Sequence, residues 1–201
     1  MDLQKFKEIS IRKIDFRNLL AQDMTEWQIY LEIIAAYFQS RKILKPVVVE
    51  IGLMHNSQRQ YYKEILGAEH IGIDVNQNSQ PDILGDSHAP ETLKALEDRL
   101  EGRKIDLLFI DGNHSYRAAQ MDFIIYEPLT KHIIAFHDIA ATVNSEVYKL
   151  WATFYSDPRF MIISLNKGFE AADQTKGSYI DMGIGLLLRQ NTDAVRTEQD
   201  K

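Results

Sequence analysis

Two apolar runs of this chain each end in side chains that bind metal ions and move protons. The first run, IDLLFI, leads into Asp111 and, three residues later, His114. The second run, IIAF, leads directly into His137 and Asp138. Because ligands in open α/β sheets lie beyond the carboxyl ends of the strands, we expect these four side chains to meet in one crevice. The pattern predicts an active site there.

A second group of candidate residues closes two earlier apolar runs. Glu50 and Gly52 end the run VVVEIG, and Asp74 ends the run IGID, which places it 74 − 52 = 22 residues after the glycine. A glycine lets a ligand approach the backbone closely, and an acid about 20 residues further on can bind both hydroxyls of a ribose. The complete G-x-G-x-x-G pattern is absent, since Met54 and Gln58 occupy its later positions, which argues against NAD and FAD.

A third polar segment, Gly85-Asp86-Ser87, follows a short apolar run. The carboxylate of Asp86 and the hydroxyl of Ser87 would suit the edge of an adenine ring. The same residue types are equally typical of an ordinary turn. Spacing alone therefore leaves both interpretations open.

The composition excludes several classes of protein. With 201 residues, 45% of them hydrophobic, the chain can build one sizeable α/β domain. A net charge of -6 argues against a nucleic-acid partner, which needs a basic surface, and the absence of cysteine excludes disulfides and thiolate metal sites. No segment reaches the roughly 20 apolar residues of a membrane span, and the N-terminus lacks a signal-peptide core. We therefore expect a cytoplasmic protein without a membrane partner.

Strand-like and helix-like segments alternate after Pro46, which predicts βαβ units and a mostly parallel sheet. The fold class is therefore α/β, Rossmann-like and doubly wound, with helices on both faces of the sheet. The predicted strands are 47–52, 70–75, 82–84, 105–110, 132–137, 160–165 and 184–188. The predicted helices between them are 58–66, 90–100, 116–126 and 144–155.

The chain divides into three predicted parts. Residues 1–44 form an N-terminal helical extension, 45–190 form the main domain, and the polar residues 191–201 form a disordered tail. An aromatic stripe recurs at helical spacing between Trp27 and Phe38, which is typical of a core or a subunit interface and leaves a homodimer open. The polar segment 166–181 is expected to be a long loop or hairpin, which either forms a wall of the substrate pocket or is a solvated connection.

In their order along the chain, these motifs resemble those of class I S-adenosylmethionine-dependent methyltransferases. The matching segments are EIG at 50–52, GID at 72–74, GDS at 85–87, DGNHSY at 111–116 and FHD at 136–138. They are most similar to the small-molecule O-methyltransferase branch, which includes catechol-type enzymes and related sugar and antibiotic methyltransferases. The resemblance implies a seven-stranded sheet whose last strand is antiparallel.

The resemblance also implies a role for each residue of what we call the nucleotide-like group, which consists of Glu50, Gly52, Asp74, Asp86 and Ser87. Glu50 and Gly52 would line the methionine and ribose part of S-adenosyl-L-methionine, and Asp74 would bind the ribose hydroxyls. Asp86 and Ser87 would lie near the adenine. The implied reaction is transfer of a methyl group from this cofactor to a hydroxyl of a small molecule.

The residues at the other two strand ends would hold the methyl acceptor. By resemblance, Asp111, His137 and Asp138 would bind a divalent cation, with Mg, Mn or Ca as candidates, and Asp111 would also reach the cofactor. Such an ion orients the acceptor and lowers the pKa of its hydroxyl. Catalysis would depend on Asp111 and on His114, which stands where catechol-type enzymes carry the catalytic base. An ordinary histidine pKa of about 6.5 suits that role.

Simpler interpretations remain beside these assignments. His114 could cap the following helix, Asp138 could be a turn residue, and His137 could only orient its neighbours. Asp122 is expected to face solvent or to cap a neighbour. The loop after Gly52 lacks further glycines, which favours, as an alternative, a methyltransferase-like binding module without turnover.

A metallophosphoesterase is a further alternative, suggested by the sequence GNH at 112–114. Enzymes of that class also need an early Asp-x-His and a late Gly-His-x-His motif. The chain contains neither of them. This alternative is therefore the weakest of the three.

Overall fold

The computed structural model describes Lys5 and residues 24–140, 145–166 and 183–190. Seven strands lie within these ranges. They are β1 Val47–Ile51, β2 Glu69–Asp74, β3 Ile83–Leu84, β4 Ile105–Ile110, β5 Thr130–His137, β6 Phe160–Leu165 and β7 Ile184–Arg189. The α-helices of the described ranges are α1 Met24–Ser40, α2 Gln58–Leu66, α3 Pro90–Leu100, α4 Tyr116–Tyr126 and α5 Val147–Phe154.

All seven strands join one sheet in the order β3-β2-β1-β4-β5-β7-β6. Strands β1 to β5 pair in parallel, whereas β7 runs antiparallel to both β5 and β6. The strand order reverses between β1 and β4, so the carboxyl ends of these two strands border the crevice in which ligands of such sheets bind. The predicted α/β class, the seven-stranded sheet and its antiparallel last strand are confirmed.

The sheet is covered on both faces, which explains why its central strands read as uninterrupted apolar runs. Every residue of β1 is buried, and its side chains alternate between two cores. Val49 points into a core shared with α3, α4 and α5 that contains Leu96, Ala119, Tyr126 and Trp151. Val48 points into a second core, shared with α1 and α2, that contains Trp27, Tyr30, Tyr61, Tyr62 and Phe109. The crevice therefore opens above two packed layers.

The aromatic stripe of α1 belongs to the second core. Trp27 stacks on Tyr30 with ring centroids 4.8 Å apart, and its ring edge meets Tyr62 at 5.6 Å and Phe109 at 6.0 Å. Such pairs add to the burial of large aromatic surfaces. Of the two interpretations of the stripe, the structure shows the core. The homodimer and the division into three domains remain predictions.

The predicted helices and strands agree closely with the described ones. The bounds of β4, β6, α2, α3 and α4 match, and the other elements begin or end one to three residues away, as when β5 begins at Thr130 and α5 at Val147. Most of the predicted loop 166–181 and the whole tail 191–201 lie outside the described residues. Within the described ranges, no helix is long and apolar enough to cross a membrane.

Candidate active site

The four residues predicted at the ends of β4 and β5 lie together. Ile110 and Phe136 are register partners, so the residues that follow them emerge side by side. His137 Nδ1 lies 3.0 Å from Asp111 Oδ1 and 3.3 Å from Asp138 Oδ1. His114 Nδ1 lies 2.6 Å from Asp138 Oδ2, and its Nε2 lies 3.5 Å from Asp111 Oδ1. We call Asp111, His114, His137 and Asp138 the acceptor cluster.

The backbone around the cluster fixes these positions. The Asp111 amide donates to the Ile51 carbonyl at 2.8 Å, which ties the end of β4 to the end of β1. Asp138 has a φ of 60°, a left-handed conformation that turns the chain away from β5. Ser115, not His114, caps α4, because its hydroxyl accepts from the Ala118 amide at 3.3 Å. The side chain of His114 therefore lies in the cluster rather than on the helix end.

Most side chains of the acceptor cluster are shielded from solvent. The side chains of Asp111, His137 and Asp138 are at most one-tenth exposed, whereas that of His114 is 38% exposed. Pairing with Asp111 and Asp138 raises the pKa of His114 from 6.5 to about 10, although burial acts in the opposite direction. The expected ordinary pKa is therefore not found: with both carboxylates beside it, His114 is protonated at neutral pH.

The pKa values of Asp111 and His137 are also shifted by their charged neighbours. Burial alone would raise the pKa of Asp111, but the charges of His137 and His114 lower it. Burial alone would lower the pKa of His137, but the charges of Asp111 and Asp138 raise it. Asp111 and His137 thus each favour the charged form of the other.

The donor atoms of the cluster are of the types that hold a divalent ion. His137 Nδ1 and Asp138 Oδ1 are buried and lack a hydrogen-bond partner, because their close contacts are not aligned as hydrogen bonds. Carboxylate oxygens suit Mg²⁺, Ca²⁺ and Mn²⁺, and an imidazole shifts the preference toward Mn²⁺. In the described part of the chain, however, no three such side chains are arranged to hold a metal. To bind an ion, these side chains would have to rearrange so that the ion replaced His114 as the partner of the carboxylates.

Gly52 joins the acceptor cluster to the nucleotide-like group. Its φ is +84°, and a β-carbon at this position would lie 2.2 Å from the Asp111 carbonyl oxygen and 2.6 Å from Gly112 Cα. Its amide donates to the Ile73 carbonyl at 3.0 Å. Only glycine can adopt this conformation at this distance. The end of β1 therefore lies backbone against backbone with the end of β4.

Asp74 holds the loop that follows Gly52. One carboxylate oxygen accepts from the Leu53 amide and the other from the Asn76 amide, both at 2.7 Å. Each carboxylate oxygen can accept a second hydrogen bond, so Asp74 keeps the capacity to bind a ribose hydroxyl. Its predicted role remains compatible with these contacts.

Glu50 is paired with a buried histidine on the neighbouring strand β2. Its side chain is fully buried, and Oε2 lies 2.6 Å from His70 Nε2. The His70 ring stacks on Tyr62 with centroids 5.3 Å apart, and Tyr62 hydroxyl lies 3.0 Å from that of Tyr30. Contact between Glu50 and the cofactor stays a prediction. His70 was not among the candidates, since a lone histidine that begins an apolar run carries no sequence signal for a partner on β1.

The loop after Gly52 reaches the required shape without further glycines. Met54 and Asn56 both have positive φ, 48° and 53°. Asn56 Nδ2 donates to the carbonyls of Ser79 and Gln80 at 3.1 and 3.2 Å. Arg59 donates to Asn56 Oδ1 at 3.2 Å. Side-chain hydrogen bonds therefore stabilise a turn with positive φ values that glycine would adopt more easily.

The segment 85–88 binds to α4. Asp86 is exposed and accepts from the His88 amide at 2.9 Å. Ser87 Oγ donates to Asp122 Oδ1 at 2.6 Å. Asp122 is buried, so the expectation that it faces solvent is wrong. A single acid within a helical sequence gives no signal that distinguishes these two environments.

Comparison with known proteins agrees with the observed fold. Residues 44–139 match a family model described as a methyltransferase domain. This stretch of the chain is therefore similar to a methyltransferase domain. No curated protein matches the sequence.

Several solved methyltransferase structures share the fold of this chain. An O-methyltransferase from Bacillus cereus, in complex with SAH, is 15% identical, with 93% of this chain and 91% of that chain covered and a TM-score of 0.55. TomG from Streptomyces achromogenes, in complex with SAM, is 13% identical, with 94% and 90% covered and a TM-score of 0.58. MycE of mycinamycin biosynthesis, in complex with Mg, SAH and mycinamycin VI, is 14% identical, with 94% and 55% covered and a TM-score of 0.60.

Proposed function

We propose that this protein is an S-adenosylmethionine-dependent O-methyltransferase, which methylates a hydroxyl of a small molecule with the assistance of a divalent ion. The observation that carries the proposal is the contact between Gly52 and Asp111. Through it, the loop assigned to the cofactor lies directly beside the acceptor cluster. A methyl donor and a hydroxyl bound in these two places would be close enough for direct displacement.

The chain's residues have separate roles in this reaction. Gly52 gives the cofactor access to the backbone, Asp74 accepts from the ribose hydroxyls, and the segment with Asp86 and Ser87 borders the adenine. When bound, S-adenosylmethionine supplies a methyl group on a positively charged sulfur. The displacement forms the bond between acceptor oxygen and methyl carbon, breaks the bond between sulfur and that carbon, and releases the hydroxyl proton.

The acceptor cluster orients the hydroxyl and receives its proton. Asp111, His137 and Asp138 would hold the divalent ion, which would align an acceptor with adjacent oxygens and favour its deprotonated form. His114 is the most exposed member of the cluster. An ion that replaced His114 as the partner of Asp111 and Asp138 would remove the contacts that raise its pKa, and the neutral imidazole could then take the proton and pass it to solvent.

Binding and turnover test the proposal in two steps. Calorimetric titration of the full chain with S-adenosylhomocysteine should give saturable binding, and Asp74→Asn should weaken it. Release of S-adenosylhomocysteine from S-adenosylmethionine should then be measured with phenols and sugars that carry adjacent oxygens, with and without a chelator. Absence of binding to the wild type would overturn the proposal. Turnover that a chelator leaves unchanged would remove the metal from it.

One observation favours a second candidate, a binding module without turnover. His114 closes the acceptor cluster against both carboxylates, at 2.6 Å from Asp138. If the ion cannot displace this contact, the protein would bind cofactor but catalyse nothing. Saturable binding of S-adenosylhomocysteine without turnover of any acceptor, at added Mg²⁺ or Mn²⁺, would support that candidate. The cytoplasmic location and the lack of nucleic-acid and membrane partners stay predictions from composition.

A further inference from the structure

One stripe of α4 binds the segment 85–88 at three successive turns of the helix. The His88 ring Nε2 lies 3.2 Å from the Ala118 carbonyl, Ser87 Oγ donates to Asp122 Oδ1 at 2.6 Å, and Tyr126 hydroxyl donates to the Ser87 carbonyl at 2.7 Å. The three helix residues are four positions apart and so lie on one face. Both the side chain and the backbone of Ser87 are thereby fixed.

Asp122 is the centre of this contact. Its side chain is only 2% exposed, and Oδ1 lies 3.2 Å from His88 Nε2 as well as accepting from Ser87. Burial raises the pKa of this carboxyl, and the hydrogen bond from Ser87 acts against the rise. Burying a carboxylate is costly unless hydrogen bonds compensate for the lost water. The described partners of Oδ1 come from the segment 85–88, so its orientation and that of the segment depend on each other.

The hydrogen bond also determines what Ser87 can offer to a ligand. A hydroxyl has one proton and two lone pairs, and Ser87 gives its proton to Asp122. Ser87 Oγ is left as an acceptor. Adenine carries an exocyclic amine on its six-membered ring, whereas hypoxanthine carries a carbonyl at the same position. An accepting Ser87 would therefore favour the amine.

The same helix also begins at the acceptor cluster. Ser115 caps α4 directly after His114, and the Glu146 amide donates to the His114 carbonyl at 2.8 Å. From this end, α4 extends to Tyr126, which binds Ser87. One helix thus connects the acceptor cluster with the segment assigned to the adenine.

We propose that Asp122 is a positioning residue for adenine recognition, which orients Ser87 as a hydrogen-bond acceptor and fixes the segment 85–88 relative to the acceptor cluster. The inference rests on the proposed function, because it assigns a role within that cofactor site. It adds a residue that does not itself touch the cofactor. It also adds a specificity, for a base with an exocyclic amine.

The test compares full-length variants by calorimetric titration with S-adenosylhomocysteine, adenosine and inosine. Asp122→Ala and Ser87→Ala should each raise the Kd for S-adenosylhomocysteine about tenfold, the effect of losing one buried hydrogen bond. The preference for adenosine over inosine should fall to near one in both. Asp122→Asn keeps an acceptor oxygen and should stay within about threefold of the wild type. Asp98→Ala removes an exposed acid of α3 and should change neither quantity.

A double variant separates positioning from general stabilisation. If Asp122 acts through Ser87, combining Asp122→Ala with Ser87→Ala should raise the Kd no further than either alone. In each single variant, the KM for S-adenosylmethionine should rise, whereas kcat at saturating S-adenosylmethionine should stay within about twofold of the wild-type value. If Asp122→Ala does not fold, Ser87→Ala and Ser87→Thr decide the matter, since only threonine keeps the hydroxyl and should keep the preference for adenosine.

Three results would overturn the inference in different ways. A wild type that binds S-adenosylhomocysteine and prefers adenosine, together with an Asp122→Ala variant that does so equally well, overturns the role of Asp122 alone. A wild type that does not bind S-adenosylhomocysteine overturns both the proposed function and this inference. Fully additive losses in the double variant show that Asp122 does not act through Ser87.

Discussion

Gly52 and Asp111 touch through their backbones, so closely that a β-carbon on residue 52 would lie 2.2 Å from the Asp111 carbonyl oxygen. Gly52 follows β1 and Asp111 follows the neighbouring parallel strand β4. Gly52 is assigned to the cofactor, and Asp111 belongs to the acceptor cluster. The amide of Asp111 also donates to the carbonyl of Ile51 at 2.8 Å. The distance between the two halves of the site is therefore set by main-chain atoms rather than by flexible side chains.

Gly52→Ala should destabilise the protein by about 3 kcal/mol or more, because the methyl group must displace backbone atoms and φ is positive. Gly102→Ala is the matched control. Gly102 has a similar φ of +81° but nothing within 4 Å of the added carbon, so its variant should lose only about 1 kcal/mol. Urea unfolding of both variants measures the difference. Equal losses would mean that the contact with Asp111 is not tight.

Met54→Gly should be more stable than Met54→Ala by about 0.5 to 1 kcal/mol. Both variants remove a side chain that is mostly exposed, and only glycine relieves the strain of a φ of 48°. Urea unfolding of the pair isolates the backbone effect from the loss of the thioether. An alanine variant as stable as the glycine variant would show that residue 54 is unstrained in the folded protein.

His114→Ala should lower turnover by about 10²-fold to 10⁴-fold, the range for loss of a general base, once an acceptor is known. The affinity for S-adenosylhomocysteine should change little, because His114 contacts Asp111 and Asp138 of the acceptor cluster and no residue of the nucleotide-like group. His132→Ala serves as a control at the opposite end of β5 and should retain turnover. Unchanged turnover in His114→Ala would remove this residue from the mechanism.

His70 should make stability depend on pH below neutrality. Burial lowers the pKa of His70 from 6.5 to about 3 in the folded protein, whereas the unfolded chain takes up the proton near pH 6.5. Between these values the unfolded state binds more protons, so stability falls as the pH falls. The slope should approach 1.4 kcal/mol per pH unit, which is about one proton.

The His70 prediction is checked against His70→Gln, which keeps an N–H for Glu50 but does not titrate. Urea unfolding from pH 7.5 to 4 should show the two free energies of unfolding diverging as the pH is lowered. Above pH 7 the difference between them should be constant. Parallel profiles over the whole range would show that His70 does not carry this dependence.

The sequence predicted the sheet and the acceptor cluster because both depend on local patterns. Uninterrupted apolar runs revealed strands buried on both faces, and the polar residues that end them had to lie at one edge. The partners of Glu50 and Asp122 were not predictable in this way. His70 and Ser87 reach them from segments 20 and 35 residues away in the sequence, and buried acids follow no periodicity.

The charge state of His114 could also not be predicted from the sequence. Its pKa depends on Asp111 and on Asp138, and Asp138 approaches within 2.6 Å at a left-handed turn that follows β5. The shape of the loop after Gly52 is a similar case. Its missing glycines suggested a poor turn, but Asn56 and Arg59 hold the turn through contacts that no local pattern shows.

The two faces of the sheet carry one tryptophan each. Trp27 lies in the core beneath α1 and α2, and Trp151 lies in the core beneath α3, α4 and α5. Since the chain contains 2 tryptophans, replacing either one by phenylalanine leaves a fluorophore that reports on a single layer. Emission spectra of Trp27→Phe and Trp151→Phe during unfolding would thus show separately when each layer loses its packing.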